Sequence, residues 1–418
     1  MRLTRTRGRG PTTALVMRLL ALLAASAAWA LAAAPLAAAE VPRVESWGDN
    51  SFAELGDGTT FERHTPVTVA GLTAAGTTSL AAGDGHGLAV LSNGTVKAWG
   101  ANDFGQLGDG TATASITPDH LTPGTVRELS GVTAVAAGCS FSLALLSNGT
   151  VKAWGNNFSG QLGNGSTGAP SNTPVTVGNP GNPSAPLTGV VAIAAGCDHS
   201  LALLSNGTVR AWGDNSTGQL GNGSTGGTSS TPVTVVSPAN PGSPLTGVQA
   251  IDGGLSHSVA LLSNGTVRAW GDNSKGQLGN GSVGGASPTP VTVVNLTGVR
   301  DVDAGYDHTI ALVSTLLSNG TVRAWGDNGK GQLGNGSIGG TSPTPATVVA
   351  LTGVRDISAG GNHNLATLSS GTLRAWGGNN FGQLGNGSTI NSGTPVTVRT
   401  GVAAITLIAA GGRSSLAG

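Results

Sequence analysis

VVAIAAGCDHSLALLSNGTVRAWGDNSTGQLG, residues 190–221, decides the fold of this chain. Val190 to Ala195 is a short apolar run, and Ser200 to Leu204 is a second one. Asn206-Gly207 follows, then Thr208 to Trp212. Runs of this length, bounded by Gly and Asn, read as strands. Asn-Gly between two apolar runs is the strongest short-range hairpin signal, so a two-residue turn with positive φ at both residues is expected here. Downstream of a Gly-rich loop, Thr231-Pro232-Val233-Thr234-Val235 reads as an outer strand, where a proline near the start is tolerated.

The same unit recurs along the chain. Trp47, Trp99, Trp154, Trp212, Trp270, Trp325 and Trp376 are spaced 52, 55, 58, 58, 55 and 51 residues apart. Each is followed by Gly, one variable residue and Asn. Gln-Leu-Gly then follows in six copies, with Glu54 in place of the Gln in the first. The Gly-x-x-His-Ser-Leu-Ala-Leu element also occurs seven times, beginning near Gly83, Gly138, Gly196, Gly254, Gly305, Gly360 and Gly411. Four antiparallel strands repeated at this period describe a β-propeller. Val44 to Trp47 matches the third strand of the unit, whereas Ala410 to Ala417 matches the first and second. Two incomplete units that complement each other predict a ring; an open solenoid would need caps. The fold expected is all-β, a seven-bladed propeller of four-stranded blades over residues 40–418, closed by strands from both termini. An insertion near Val313 to Leu316 lengthens one hairpin without changing the count.

Residues 1–39 read differently. Arg2 to Arg9 are a positive region, Leu19 to Leu36 an apolar one, and Ala37-Ala38-Ala39 a small-residue cleavage site before Glu40. That is the pattern of a secretory signal peptide. A secreted protein, in the medium or the cell envelope, is expected, and the Arg, Ala and Gly bias points to a bacterium. The formal net charge is zero, but five Arg lie in the first 18 residues. The remainder carries 15 basic against 20 acidic groups, or −5, which argues against a nucleic-acid partner. No later stretch is apolar for long enough to span a bilayer, and a monomer is expected.

Trp-Gly-Asp-Asn-Ser-Thr-Gly-Gln-Leu-Gly (212–221) and Ala-Gly-Cys-Asp-His-Ser-Leu-Ala-Leu (195–203) resemble the repeat of the regulator of chromosome condensation family. The resemblance covers essentially all of residues 41–418. It implies the propeller fold, and for function it implies a protein-binding regulator. The founding member is a guanine-nucleotide exchange factor that binds chromatin, and the family also holds secreted bacterial propellers, one of which inhibits β-lactamases.

No residue pattern demands catalysis, a cofactor or a metal. His86, His199, His257, His308 and His363 share one slot, with Phe141 and Ser414 in the other two repeats. Equivalent slots are spread round a ring, whereas zinc needs ligands converging on one point. A packing role is expected. Lys97, Lys152, Arg210, Arg268, Arg323 and Arg374 precede six of the seven Trp by two residues, with Glu45 before Trp47, beside the ring on one strand face, where stem packing with cation–π contact is expected. Cys139 and Cys197 share a slot in adjacent repeats, which leaves open a bridge near the axis or two buried thiols. Asp214 to Gly218 lacks the spacing of a Ca²⁺ loop and reads as a turn bonded through Asn215.

Recognition must come from positions that differ between copies. The turn between strands one and two and the loop from three to four open on one face. There Asp84, Ser140, Asp198, Ser256, Asp307, Asn362 and Arg413 are read as one variable slot. Five residues after each Trp the series runs Phe52, Phe104, Ser159, Thr217, Lys275, Lys330, Phe381. Ring closure should bring Phe381, Phe52 and Phe104 together, with Phe158 nearby and Lys275, Lys330 and Tyr306 across the ring. An aromatic patch facing a basic one is a candidate surface for a protein partner, provided that the rings are exposed.

Overall fold

The computed structural model describes residues 43–113, 120–314, 320–401 and 405–418. The leader expected at residues 1–39 lies outside the described residues, as does most of the insertion after Ser314. Residues 41–418 form one compact unit. Among the described residues there are seven four-stranded antiparallel sheets and one two-stranded ribbon, Gly178–Asn179 with Asn182–Pro186. No helix of the described residues is long and apolar enough to cross a membrane.

Blade 3 carries the stretch quoted above. Its strands are Val190–Ala195, His199–Leu204, Val209–Asp214 and Thr228–Thr234, paired in sequence order from the axis outward. The outer strand begins three residues before the expected start. Pro232 falls where its pairing with the third strand is irregular, between Ala211↔Val233 and Gly213↔Ser229, so the missing N–H disrupts no regular ladder. The hairpin differs from expectation. Gly207 alone has positive φ (+76°), and Asn206 does not. Leu204 N–H bonds Thr208 O at 2.9 Å, and Gly207 N–H bonds Leu204 O at 2.9 Å, which gives a three-residue loop ending in a left-handed glycine. Asn206 is needed for its side chain instead: Oδ1 accepts from Thr208 N at 3.1 Å and from Thr208 Oγ1 at 2.7 Å.

The closing blade is built from both ends. Ile408–Ala410 and Ser414–Ala417 supply its inner two strands, Arg43–Gly48 and Arg63–Thr73 its outer two. Glu45 pairs with Ala417 and Gly48 with Ser414. The ring is therefore zipped by the termini, as the complementary half-units predict.

The signature Trp works between blades. All seven Trp are fully buried. Trp270 of blade 4 packs on Leu201, Val209, Leu220 and Val235 of blade 3. Its indole N–H donates to the Gln219 carbonyl of blade 3 at 2.9 Å. The same bond joins Trp47 to Gln383, Trp99 to Glu54, Trp154 to Gln106, Trp212 to Gln161, Trp325 to Gln277 and Trp376 to Gln332. Gly221 must be glycine: its φ is +63°, and a Cβ there would lie 2.7 Å from Trp270 Nε1.

The histidines are part of the same clamp. His199 Nε2 lies 2.9 Å from Ser258 Oγ of the next blade, and that hydroxyl donates to Gln219 O at 2.8 Å. Since the Ser258 proton is spent on the carbonyl, the imidazole must donate at Nε2, leaving Nδ1 bare. The arrangement repeats at His86–Ser142, His257–Thr309, His308–Asn364 and His363–Ser415, and Nδ1 is buried without a partner in all five. Burial holds His86, His199 and His308 near 4 and His257 and His363 near 3. These are neutral packing groups, as expected.

A folded-state value below the ordinary 6.5 means stability that is complete above pH 6.5 and is lost as the pH falls towards 4. Each buried imidazole should therefore cost roughly 2 kcal/mol at pH 5. Phe141 already holds this slot in blade 2. His199→Phe should then be about 1 kcal/mol less stable than the parent at pH 7, through the lost hydrogen bond, but equal or more stable at pH 5. Urea midpoints at the two pH values test this; parallel losses at both would sink the neutral-imidazole account.

Candidate recognition face

The loops after each Trp are held by one Asn and one Gln. Asn215 Oδ1 accepts from Leu220 N at 3.1 Å while Nδ2 donates to Ser224 O at 3.0 Å. Asn50, Asn102, Asn157, Asn273, Asn328 and Asn379 do the same in their blades. This is the Asn-bonded turn expected at Asp214 to Gly218. The Gln side chain then fixes the residue two positions earlier. Phe104 N donates to Gln106 Oε1 at 2.9 Å, Lys275 N to Gln277 Oε1 at 2.8 Å, Lys330 N to Gln332 Oε1 at 2.8 Å and Phe381 N to Gln383 Oε1 at 3.0 Å. The variable side chains thus stand on rigid backbone.

Phe158 is 57% exposed and meets Phe104 edge to face, with ring centroids 5.7 Å apart. Phe52 is 45% exposed and packs against Gly85. Phe381 is half-buried beneath the Arg413 guanidinium, 4.9 Å from its centroid. Four rings therefore occupy four consecutive blades, but as separate contacts: Phe104 meets Phe158, not Phe52 or Phe381, among the described residues. Lys275 and Lys330 are exposed on blades 4 and 5, Lys275 two blades from those of Phe158 and Phe381 and Lys330 on the blade next to that of Phe381. Arg413 also lies 3.7 Å from Asp49.

Two expected placements are corrected. Tyr306 does not stand with the lysines. It crosses the mouth of the axial channel and its hydroxyl donates to Asp84 Oδ1 of blade 1. It passes over Gly361 and Gly412, where Cβ atoms would lie 2.7 Å from its ring and its hydroxyl. Burial pushes its phenol, and also the Asp84 carboxyl, upward. Asp84, moreover, is not in the slot of Ser140, Asp198 and Arg413. It lies one residue nearer the axis, with Cys139, Cys197, Leu255, Tyr306, Gly361 and Gly412, at one end of a channel of about 290 Å³; Gly85 takes the outer slot. Backbone bonds run round this mouth, from Cys139 N to Cys197 O, Leu255 N to Tyr306 O, Tyr306 N to Gly361 O and Gly412 N to Gly83 O. Here Cys139 and Cys197 are disulfide-bonded with Cα atoms 4.5 Å apart, which resolves the alternative in favour of a bridge.

The cations beside each Trp also behave differently from expectation. Their head groups reach the outer strand: Lys97 Nζ bonds Thr125 Oγ1 at 2.8 Å, Lys152 Nζ bonds Thr176 Oγ1 at 2.9 Å, and Arg374 bonds Thr397 Oγ1 at 2.6 Å. Among the described residues the cation placed over a ring is Arg413. Directional donors prefer a hydroxyl acceptor across the ladder to an indole already packed against the preceding blade.

Exposed apolar tips that the repeat comparison passed over are Phe61 (71%), Ile390 (76%), Val283 and Ile338. Each follows the Gly-Ser or Gly-Thr of its loop by one or two residues, so an apolar residue amid Gly and Ser was the available signal.

Glu54 is the odd member of the Gln slot. Gln219, Gln277 and Gln332 donate Nε2 to Asp214, Asp272 and Asp327 at 2.6, 2.8 and 2.7 Å. Glu54 Oε2 accepts from Phe52 N at 2.9 Å, but Oε1 is buried without a partner. Burial, with the Asp49 charge adding to it, raises this carboxyl to about 7. A raised acid contributes stability that is full below its ordinary value and is lost as the pH rises through 7. Glu54→Gln should therefore stabilise the protein by about 3 kcal/mol at pH 8 and by little at pH 5. Thermal unfolding at both values checks it; equal effects would contradict the buried acid.

A family model described as RCC1-like domain matches residues 43–417. The ultraviolet-B receptor UVR8 of Arabidopsis thaliana is 28% identical over 358 residues, spanning 84% of this chain and 76% of that protein. The secretion-regulating guanine nucleotide exchange factor of Bos taurus is 29% identical over 383 residues, spanning 84% and 78%. Prp20p from Saccharomyces cerevisiae superposes with a TM-score of 0.73 at 24% identity over 90% of each chain.

Proposed function

This chain belongs to the RCC1-like domain family, and from that premise we propose that it is an exported, non-enzymatic module that binds a protein partner through the loops of one propeller face. The observation carrying this reading is the pair Phe52 and Phe158, large apolar rings left 45% and 57% exposed on loops whose backbone is pinned by side-chain hydrogen bonds, Phe52 N to Glu54 and Phe158 N to Asn156. An exposed ring costs solvation, and a rigid loop spends little entropy when it docks. Phe104, Phe381 and Arg413 extend that arc, and Lys275 and Lys330 give the opposite arc a positive rim. A relative named as a guanine nucleotide exchange factor supports a regulator acting through protein contacts.

The export part of the proposal draws on the leader-like residues 1–39. It favours a partner in the medium or envelope, with an inhibitor of a secreted enzyme as the second reading. The mature chain is proposed to act as a monomer. Affinity capture from cell envelope and culture medium tests the proposal. The parent chain should retain a saturable partner, and Phe52→Ala/Phe104→Ala/Phe381→Ala should weaken it at least about tenfold, since aromatic anchors carry 1.4 kcal/mol or more. Undiminished binding by the triple variant would refute the face assignment. Accelerated nucleotide release from a small GTPase would replace this reading with exchange.

A further inference from the structure

At the channel mouth, three neighbouring blades contribute three groups of metal-ligand type. Asp84 comes from blade 1, Cys139 from blade 2 and Cys197 from blade 3, and a carboxylate oxygen and the two Sγ atoms all lie within 4.8 Å of one another. The backbone keeps the two cysteines adjacent independently of their bond, since Cys139 N donates to Cys197 O at 3.2 Å. Tyr306 holds Asp84 Oδ1 and thereby orients the carboxylate, the kind of outer hydrogen bond that fixes a ligating side chain. All three residues are half-buried and line a channel of about 290 Å³, with room for waters beside them.

Two thiolates and one carboxylate are a donor set for a tetrahedral dication, with Zn–S about 2.3 Å and Zn–O about 2.0–2.2 Å. Such a centre places its ligand atoms roughly 3.5–4 Å apart, so on reduction the two Sγ atoms must part from bonding distance, while the Asp84 oxygen already lies within 4.8 Å of both. We propose that the reduced form of this protein binds one zinc-class ion through Asp84, Cys139 and Cys197, with a channel water completing the shell. A dithiol reductant delivers two electrons and two protons to the Cys139–Cys197 bond and is itself oxidised to a disulfide. The ion then displaces the two thiol protons. Three blades are cross-linked at the axis in one redox state by sulfur and in the other by metal.

The full chain, reduced with dithiothreitol and freed of it without air, is titrated with Co²⁺. One equivalent should give a thiolate-to-cobalt charge-transfer band that Zn²⁺ abolishes, and the oxidised chain should give none. Asp84→Asn should weaken binding at least about tenfold, and Cys139→Ser should remove it with the far-ultraviolet spectrum unchanged. Should Cys139→Ser fail to fold, alkylation of the reduced parent must remove the band instead. The proposal falls if the reduced, folded chain shows no band. It also falls if the band survives serine substitution or alkylation, or if Asp84→Asn binds as tightly as the parent.

Discussion

A chain ended at Gly401, lacking residues 402–418, is expected to lose the single cooperative unfolding transition of the ring. The deletion removes Ile408–Ala410 and Ser414–Ala417, so Arg43–Gly48 keeps only its outer neighbour. Leu416 and Ala417 are buried, and Ser415 both receives the His363 proton and donates to Gln383 O at 3.0 Å. The axial backbone ring is cut on both sides, at Gly361 N to Gly411 O and at Gly412 N to Gly83 O. One buried leucine is worth about 2–5 kcal/mol, and each lost ladder bond roughly 1 kcal/mol. Together these approach the whole 5–15 kcal/mol that holds a typical domain. Urea unfolding followed by Trp fluorescence should become broad, and amides of residues 43–48 should exchange as in an open chain. An unchanged midpoint would mean that blades are stable in isolation, as in a solenoid, and ring closure would lose its energetic meaning.

The second large effect is expected at the interblade clamp. Trp270→Ala should destabilise the protein by about 3–5 kcal/mol, because the cavity opens between two rigid sheets that cannot collapse onto it. Trp270→Phe keeps most of the volume, and leaves Gln219 O with Ser258 as its remaining side-chain donor. It should cost about 1–2 kcal/mol. Calorimetric unfolding of the two variants separates packing from hydrogen bonding. Equal losses would show that volume is not what the indole supplies. Gly221→Ala should resemble Trp270→Ala in sign, since its Cβ would strike the same ring.

These effects also mark how far the sequence could be read. The repeat of Trp, Asn and Gln-Leu-Gly has one local meaning in every blade: Trp fills the seam with the preceding blade, Asn closes the loop, and Gln presents a carbonyl to the Trp of the blade that follows. Seven copies make each such role visible as a slot, and the complementary half-units at residues 44–47 and 410–417 make the closure visible too. Even within the repeat, Asn-Gly named a hairpin but not its loop length, because a glycine at positive φ serves both a two-residue and a three-residue turn.

By itself, then, the sequence determined the strands, the count of seven blades, the closure and the uniform interior, since each depends on neighbours repeated at a fixed spacing. Tertiary structure alone decided which unlike residues meet. Tyr306 reaches Asp84 across 222 positions of sequence, and Cys139 bonds Cys197, because the axis is where all inner strands converge and the distance between slots shrinks. It likewise sent the cation heads to threonines on the outer strand and split four phenylalanines into separate contacts. Those outcomes turn on side-chain reach and on competition for partners in three dimensions, and no spacing along the chain encodes either.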